Sequence, residues 1–162
     1  MFSLLDYSKS AADKLTELFP RDDIALIVRG TSGAMIGGLI ASRLIYNTGI
    51  DAKVIISRKP EDTCHADNLE CLDLVLNYKE NDPFRLVIAD DFISSGRTLY
   101  NIVSDVESYI KQPFVFDALI IHNRLIYRTS DEHGRPGDLR LPEEGTIAEE
   151  MLLTKFLNIL CL

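Results

Sequence analysis

Two adjacent acids followed by a hydroxyl-rich turn are the residues of this sequence best suited to chemistry. Asp90 and Asp91 come directly after an apolar run, and Ser-Ser-Gly-Arg-Thr follows at 94–98 before another apolar pattern begins. Backbone N–H groups at a helix start, with hydroxyl side chains beside them, favour a phosphate. The two carboxylates would repel phosphate, so a ligand that uses both must present hydroxyls or a metal ion to them. A ribose 5-phosphate has that pattern.

Two further segments could meet phosphate oxygens. Residues 29–33 (Arg-Gly-Thr-Ser-Gly) offer backbone amides and an arginine, and residues 58–60 (Arg-Lys-Pro) offer positive charge. Each also has a plain structural interpretation, as a glycine-rich strand-to-helix turn and as a solvated loop. At residues 90–98, serine caps would explain the hydroxyls but not two acids at the end of a buried strand.

Residues 85–99, RLVIADDFISSGRTL, resemble the phosphoribosyl pyrophosphate binding motif of the type I phosphoribosyltransferases. That motif is a hydrophobic strand, an acidic pair and a Thr/Ser-Gly-x-Thr loop, and its length of about thirteen residues makes it far more specific than a lone glycine pattern. The resemblance covers roughly residues 24–121. It implies transfer of ribose 5-phosphate from phosphoribosyl pyrophosphate to a nucleobase nitrogen, with release of pyrophosphate, in nucleotide salvage or related nucleotide metabolism.

Position by position, the resemblance implies a role for each segment. Asp90 and Asp91 would hold the ribose 2- and 3-hydroxyls directly or through Mg²⁺, the implied cofactor. Arg58 and Lys59 would offset the charge of pyrophosphate, and these four residues form the implied catalytic group. The implied ribose-5-phosphate-binding residues are Ser94, Ser95, Gly96, Arg97 and Thr98. The implied pyrophosphate-binding residues are Arg29, Gly30, Thr31, Ser32 and Gly33.

Two features depart from patterns within the family. Ser94 stands where enzymes for hypoxanthine and guanine carry an aspartate that accepts a proton from the base, and a neutral serine does this poorly. Orotate- or adenine-like chemistry is therefore favoured over a 6-oxopurine. The lid expected within 60–83 has His65 near the histidine of the orotate enzymes, but no lysine lies between Pro60 and Asn77. A non-catalytic regulatory module that binds phosphoribosyl pyrophosphate or a nucleotide on the same fold is the alternative.

Alternating strands and helices must position these segments. Apolar runs predict strands at 24–28, 53–57, 85–89 and 114–121, and helical spacing predicts helices near 11–19, 35–45, 99–110 and 147–160. Ser8 or Ser10 is expected to cap the first helix. The alternation predicts an α/β fold, an open and mainly parallel twisted sheet with helices on both faces. In such sheets ligands bind at the carboxyl ends of the strands, where all three segments fall.

Length and composition limit the remaining possibilities. The 162 residues suit one domain, with a core at about 24–121 and a small hood and lid from 1–20, 60–83 and 122–162. A formal charge of −8 argues against nucleic-acid binding. No apolar run is long enough to span a membrane, so no membrane association is expected. Three cysteines without a close pair suit a cytoplasmic location, and Cys64, His65 and Cys71 match no standard zinc pattern. Type I enzymes are often dimers, so the resemblance implies a homodimer.

Overall fold

The computed structural model describes residues 3–58, 72–78, 84–91, 93, 95–122, 126–129, 136–140 and 145–162. The helices in these ranges are α1 (Leu4–Leu18), α2 (Gly30–Thr48), α3 (Leu72–Leu76), α4 (Arg97–Ile110) and α5 (Ile147–Thr154). The strands are β1 (Asp23–Arg29), β2 (Ala52–Ser57), β3 (Phe84–Ala89), β4 (Ala118–Ile121), β5 (Ile126–Thr129), β6 (Pro136–Arg140) and β7 (Ile159–Cys161). None of these helices is long and apolar enough to span a bilayer.

Five strands form one parallel sheet in the order β2-β1-β3-β4-β7, which confirms the predicted fold class. Side chains of β1 alternate between its faces. Ile24, Leu26 and Val28 pack with α1 and α2, whereas Ala25 and Ile27 pack with α4 and α5. Helices cover both faces, so a continuous apolar run is what this strand requires. Strands β5 and β6 pair with each other in a separate antiparallel sheet.

Helix α1 begins earlier than its apolar spacing predicts. Ser3 caps it by accepting the N–H of Asp6 at 3.3 Å, and the predicted caps Ser8 and Ser10 lie inside the helix. The hydroxyl of Ser8 is buried and accepts a hydrogen bond from Nε of Arg43 in α2 at 3.0 Å. Helix α1, which was expected to belong to the hood, is therefore fixed against α2 and packs into the core.

The predicted last helix is wrong in its second half. Helix α5 ends at Thr154, and the following residues form β7 in parallel with β4. The N–H of Leu119 donates to the carbonyl of Asn158 at 2.9 Å, and the N–H of Leu162 donates to the carbonyl of Ile121 at 3.0 Å. An apolar strand buried on both faces needs a partner at its edge, and β7 supplies it to β4. A segment assigned to the hood thus provides the fifth strand.

The fourth strand is shorter than predicted because Asp117 interrupts its pairing. One carboxylate oxygen of Asp117 accepts the N–H of Leu86 at 2.8 Å and the hydroxyl of Tyr78 at 3.0 Å. Nη1 of Arg85 lies 3.3 Å from the other oxygen. These partners satisfy a charge that burial would otherwise make costly. Regular pairing with β3 begins at Ala118.

Helix α2 comes very close to the sheet at one glycine. A Cβ on Gly37 would lie 2.9 Å from Cγ1 of Val28 and 3.1 Å from Cγ1 of Val54. A Cβ on the neighbouring Gly38 would meet nothing within 4 Å. The missing side chain at position 37 therefore allows α2 to rest on β1 and β2.

We expect Gly37→Ala and Gly38→Ala to change the free energy of unfolding in opposite directions. Gly38→Ala should raise it by about 0.5–1 kcal/mol, because alanine is favoured over glycine in helices and the site is open. Gly37→Ala forces two packed valines to move and should lower it by about 1–3 kcal/mol. Urea denaturation measures both values, and equal effects at the two positions would contradict this packing.

Candidate functional site

The strand order places a topological switch point between β1 and β3. These two strands are neighbours, yet the chain leaves β1 through α2 on one face and leaves β3 toward α4 on the other. A crevice at the carboxyl ends of two such strands is where ligands bind in open α/β sheets. Residues 29–33 follow β1 and residues 90–98 follow β3, so the fold brings these two predicted segments to the same crevice.

The acid pair lies just beyond the last paired residue of β3. The N–H of Asp90 donates to the carbonyl of Ile120 at 3.0 Å, which continues the pairing with β4 by one residue. The N–H of Asp91 donates to Oδ1 of Asp90 at 3.0 Å, and the N–H of His122 donates to the carbonyl of Asp91 at 2.9 Å. The backbone of both acids is therefore tied to the end of β4.

Electrostatics at this strand end disfavour two negative charges. Burial, and then the charge on Asp91, raises the pKa of Asp90 to about 7. Either a proton or a cation can relieve this repulsion. Carboxylate oxygens are ligands that Mg²⁺ prefers, and Mg²⁺ is commonly held by one or two carboxylates together with phosphate oxygens and water. Asp90 and Asp91 fit such a shared site. Among the described residues, no group of three or more metal-ligating side chains converges.

Helix α4 presents its N-terminus beside the acid pair. Gly96 is the N-cap with φ of 78°; as a glycine it has no side chain with which to cap the helix, and the first turn contains no acid. The N–H of Arg97 donates to Oγ of Ser95 at 3.4 Å, and Ser95, Arg97 and Thr98 are exposed. The N–H groups of a first helical turn and the helix dipole make this end attractive to an anion.

Helix α5 approaches this same turn. A Cβ on Gly96 would lie 2.6 Å from Cα of Ala148 and 2.7 Å from its N, so only glycine fits here. Thr146 caps α5 by accepting the N–H of Glu149 at 3.3 Å. The contact places the start of α5 directly against the start of α4. The hydroxyl-rich turn is therefore supported by a segment far away in sequence.

The predicted pyrophosphate loop is the first turn of a helix rather than a loop. Helix α2 starts at Gly30, directly after the last residue of β1, and a φ of 70° at this glycine makes the sharp turn possible. Thr31 and Ser32 are exposed, Gly33 is buried, and the first turn holds no acid. The crevice thus receives N–H groups from a second helix start.

The side chain of Arg29 lies in a polar cluster with Ser57 and Asp105. Its Nη1 donates to the hydroxyl of Ser57 at 2.6 Å and lies 3.2 Å from Oδ2 of Asp105, and the Ser57 hydroxyl donates to the same oxygen at 2.8 Å. Only 7% of the Arg29 side chain is exposed. The cluster joins the ends of β1 and β2 to α4 and so holds the two sides of the crevice together.

The remaining predicted residues are only partly described. Arg58 follows β2 directly and is half-buried. Lys59, Ser94 and His65 lie outside the described residues, as does most of the predicted lid.

Sequence reasoning missed three residues that shape the site: Asp105, Ala148 and Tyr7, whose hydroxyl donates to the carbonyl of Asp90 at 2.6 Å. Tyr7 is four residues before the buried Ala11, so the helical spacing already carried a signal that this side chain faces the core. Asp105 and Ala148 carry no such signal, because their partners at Arg29 and Gly96 are distant in sequence.

Comparison with known proteins supports the fold. No protein family model matches the chain, and no curated protein matches it in sequence. The orotate phosphoribosyltransferase of Francisella tularensis superposes on 98% of this chain with a TM-score of 0.61 at 14% identity. This chain has the type I phosphoribosyltransferase fold. It spans 64% of the length of that enzyme.

Two other solved structures are more distant. A hypoxanthine phosphoribosyltransferase from Staphylococcus aureus gives a TM-score of 0.49 at 14% identity, over 97% of this chain and 73% of that one. LpoA from Haemophilus influenzae gives 0.44 at 17% identity, over 74% of this chain and 19% of that one. At these scores neither superposition bears on function.

Substitution of Gly96 should disrupt the contact between α4 and α5. Gly96→Ala combines a left-handed backbone with a clash against backbone atoms of Ala148, and we expect a loss of about 3 kcal/mol or more. Gly145→Ala is the matched control, because φ is 77° there but no atom lies within 4 Å of the new Cβ. It should cost about 1–2 kcal/mol. Chemical denaturation compares them, and an equal loss in both variants would contradict the close contact.

Asp90 should make the metal-free protein less stable as pH rises toward 7. Its pKa is 3.8 in an unstructured chain and about 7 in the fold, so between these values the folded state holds the extra proton. The free energy of unfolding therefore falls through this window and levels off above it. The side chain in Asp90→Asn cannot ionise. The free energy of unfolding of this variant, relative to that of the wild type, should therefore rise between pH 5 and 8 by on the order of a few kcal/mol. Denaturation experiments with a chelator present measure this free energy for both proteins. If it depends on pH in the same way in the wild type and in Asp90→Asn, the raised pKa is contradicted.

Proposed function

We propose that this protein is a phosphoribosyltransferase that moves ribose 5-phosphate from phosphoribosyl pyrophosphate onto a nucleobase nitrogen and releases pyrophosphate. One observation carries the proposal: two acid-free helix starts and a half-buried acid pair meet at the switch point between β1 and β3. A ligand with two separated phosphate groups and a diol between them matches this arrangement of positive ends and carboxylates.

Each part of the site would bind one part of the donor. The start of α4, including Ser95 and Thr98, would hold the 5-phosphate, and the start of α2 would hold pyrophosphate. Asp90 and Asp91 would orient the ribose hydroxyls and hold Mg²⁺, which neutralises charge on the pyrophosphate when it is bound. Arg58, with Lys59, would add positive charge on the pyrophosphate side.

The transfer reaction depends mainly on how the protein positions the ribose, the leaving pyrophosphate and the base. The transition state of such a transfer has oxocarbenium character, so fixed carboxylates beside the ribose and fixed donors around the leaving group supply most of the stabilisation. The protein must also keep the nucleobase nitrogen in line with the ribose C1. For the base itself we propose orotate or adenine rather than a 6-oxopurine, because Ser94 cannot accept a proton as an aspartate can.

A second candidate function is a regulatory module that binds phosphoribosyl pyrophosphate or a nucleotide without transfer. The Arg29 cluster favours it, since the guanidinium that would have met pyrophosphate contacts Asp105 and Ser57 instead. The sequence between Pro60 and Asn77 also contains no lysine. Such a module would keep Mg²⁺-dependent binding and release no pyrophosphate.

We further propose a cytoplasmic homodimer. The three cysteines suit a reducing compartment. A second copy could pack on the exposed side of α2, where Met35, Ile45 and Tyr46 are 57%, 49% and 92% exposed. Arg43 is the one charged residue in this helix, so two α2 helices could meet without repulsion in a chain of net charge −8.

Activity and binding assays separate the two candidates. Pyrophosphate release would be followed with phosphoribosyl pyrophosphate, Mg²⁺ and one base at a time (adenine, orotate, hypoxanthine, guanine, xanthine, uracil or nicotinamide), with calorimetry of donor binding alongside. We expect release with orotate or adenine. Release only with a 6-oxopurine would overturn the base preference, and binding without release would favour the regulatory module. The absence of both would contradict both candidates.

The double variant Asp90→Asn/Asp91→Asn tests the assigned site. It should weaken donor binding by about a hundredfold or more, because two charged hydrogen-bond acceptors are lost. Asp22→Asn/Asp23→Asn is the control, since it removes the same charge from an adjacent acid pair at the opposite, amino end of β1. Wild-type affinity in the Asp90 and Asp91 variant, or an equal loss in the control, would refute the assignment.

A further inference from the structure

Tyr7 of α1 reaches the acid pair from the face of the sheet that α1 and α2 cover. Its side chain is buried, with the residue only 3% exposed. Its hydroxyl donates to the carbonyl of Asp90 at 2.6 Å and lies 3.3 Å from the carbonyl of Ile120. The Ile120 carbonyl also accepts the N–H of Asp90 at 3.0 Å. The phenol oxygen therefore sits where the pairing between β3 and β4 ends.

The Asp90 carbonyl belongs to the peptide unit that joins the two acids. The other side of that unit carries the N–H of Asp91, which donates to Oδ1 of Asp90 at 3.0 Å. A hydrogen bond to the carbonyl thus fixes the plane of the peptide and, through it, the direction of both side chains. Because regular pairing of β3 stops at Ala89, the Tyr7 hydroxyl serves this carbonyl in place of a strand partner.

Further contacts hold Tyr7 in place. The ring lies edge-on to His122 with centroids 5.8 Å apart, and the N–H of His122 donates to the carbonyl of Asp91. Helix α1 is itself fixed on α2 by the contact between Ser8 and Arg43. The phenol is thus held firmly at the point where it acts.

We propose that Tyr7 is a positioning residue for the acid pair, and that its hydroxyl rather than its ring determines how tightly the pair holds the ribose diol and its cation. This inference rests on the proposed function. Carboxylates that must meet two hydroxyls or a metal ion need fixed directions, and a peptide unit free to rock would misalign both at once.

Tyr7→Phe is the direct test because it keeps the ring and removes the hydroxyl. Tyr78→Phe is the matched control, since Tyr78 donates to Oδ2 of the buried Asp117 at 3.0 Å, at the amino end of the sheet. Both variants lose the hydrogen bonding of one tyrosine hydroxyl, and both should melt somewhat earlier than the wild type. Only Tyr7→Phe should weaken binding of phosphoribosyl pyrophosphate with Mg²⁺ in calorimetry, by about tenfold. 4-Aminophenylalanine at position 7 restores a donor and should restore affinity.

A second measurement needs no ligand. Amide hydrogen exchange of Asp91 and His122 should become about tenfold faster in Tyr7→Phe and stay unchanged in Tyr78→Phe, because only the first variant frees the peptide between the acids. If the wild type binds no donor, the proposed function fails, and the exchange data alone decide the role of Tyr7. Unchanged exchange in Tyr7→Phe, wild-type donor affinity in that variant, or an equal loss of affinity in Tyr78→Phe would overturn the proposal.

Discussion

Two adjacent acids at the end of a buried strand are the constraint around which this fold is arranged. Asp90 and Asp91 are both half-buried, and burial followed by the charge of Asp91 raises the pKa of Asp90, so ionising both side chains is unfavourable. The surrounding elements hold both acids with hydrogen bonds to their backbone. A carbonyl of β4 accepts the N–H of Asp90, a side chain of α1 donates to the carbonyl of Asp90, and the N–H of the residue after β4 donates to the carbonyl of Asp91. The acids are therefore held in place at a cost that a ligand or cation would offset.

The crevice beside this pair has a helix start on each side, one after β1 and one after β3, and different contacts hold each of them in place. On the β1 side, the turn at Gly30 starts α2 at once, and Arg29 ties β1 to β2 and α4 through Ser57 and Asp105. On the β3 side, the turn at Gly96 starts α4 and rests on Ala148. Both halves offer helix starts without acids, which gives the crevice a positive rim in a chain that is acidic as a whole.

The sequence alone was enough to predict the elements that depend on neighbouring residues. Strands β1, β2 and β3 follow from continuous apolar runs, and the turns at Gly30 and Gly96 follow from the position of glycines after two of them. The end of α5 did not follow, because an apolar stretch that could continue a helix pairs with the edge of β4 instead. The roles of Asp117 and Tyr7 did not follow either: helical spacing indicates that Tyr7 faces the core, but the role of each residue is defined by a partner that only the folded sheet brings close.

The contact between Gly96 and Ala148 has a consequence for how the protein reaches its native state. The turn that would hold a phosphate is completed by residues made about fifty positions later, which raises the contact order of this region and slows its final closure. Until α5 and β7 have docked, the start of α4 lacks its support and β4 has an open edge, the kind of intermediate that pairs with other chains. The support of the turn at Gly96 and the protection of the β4 edge against pairing with other chains thus depend on the docking of the same C-terminal segment.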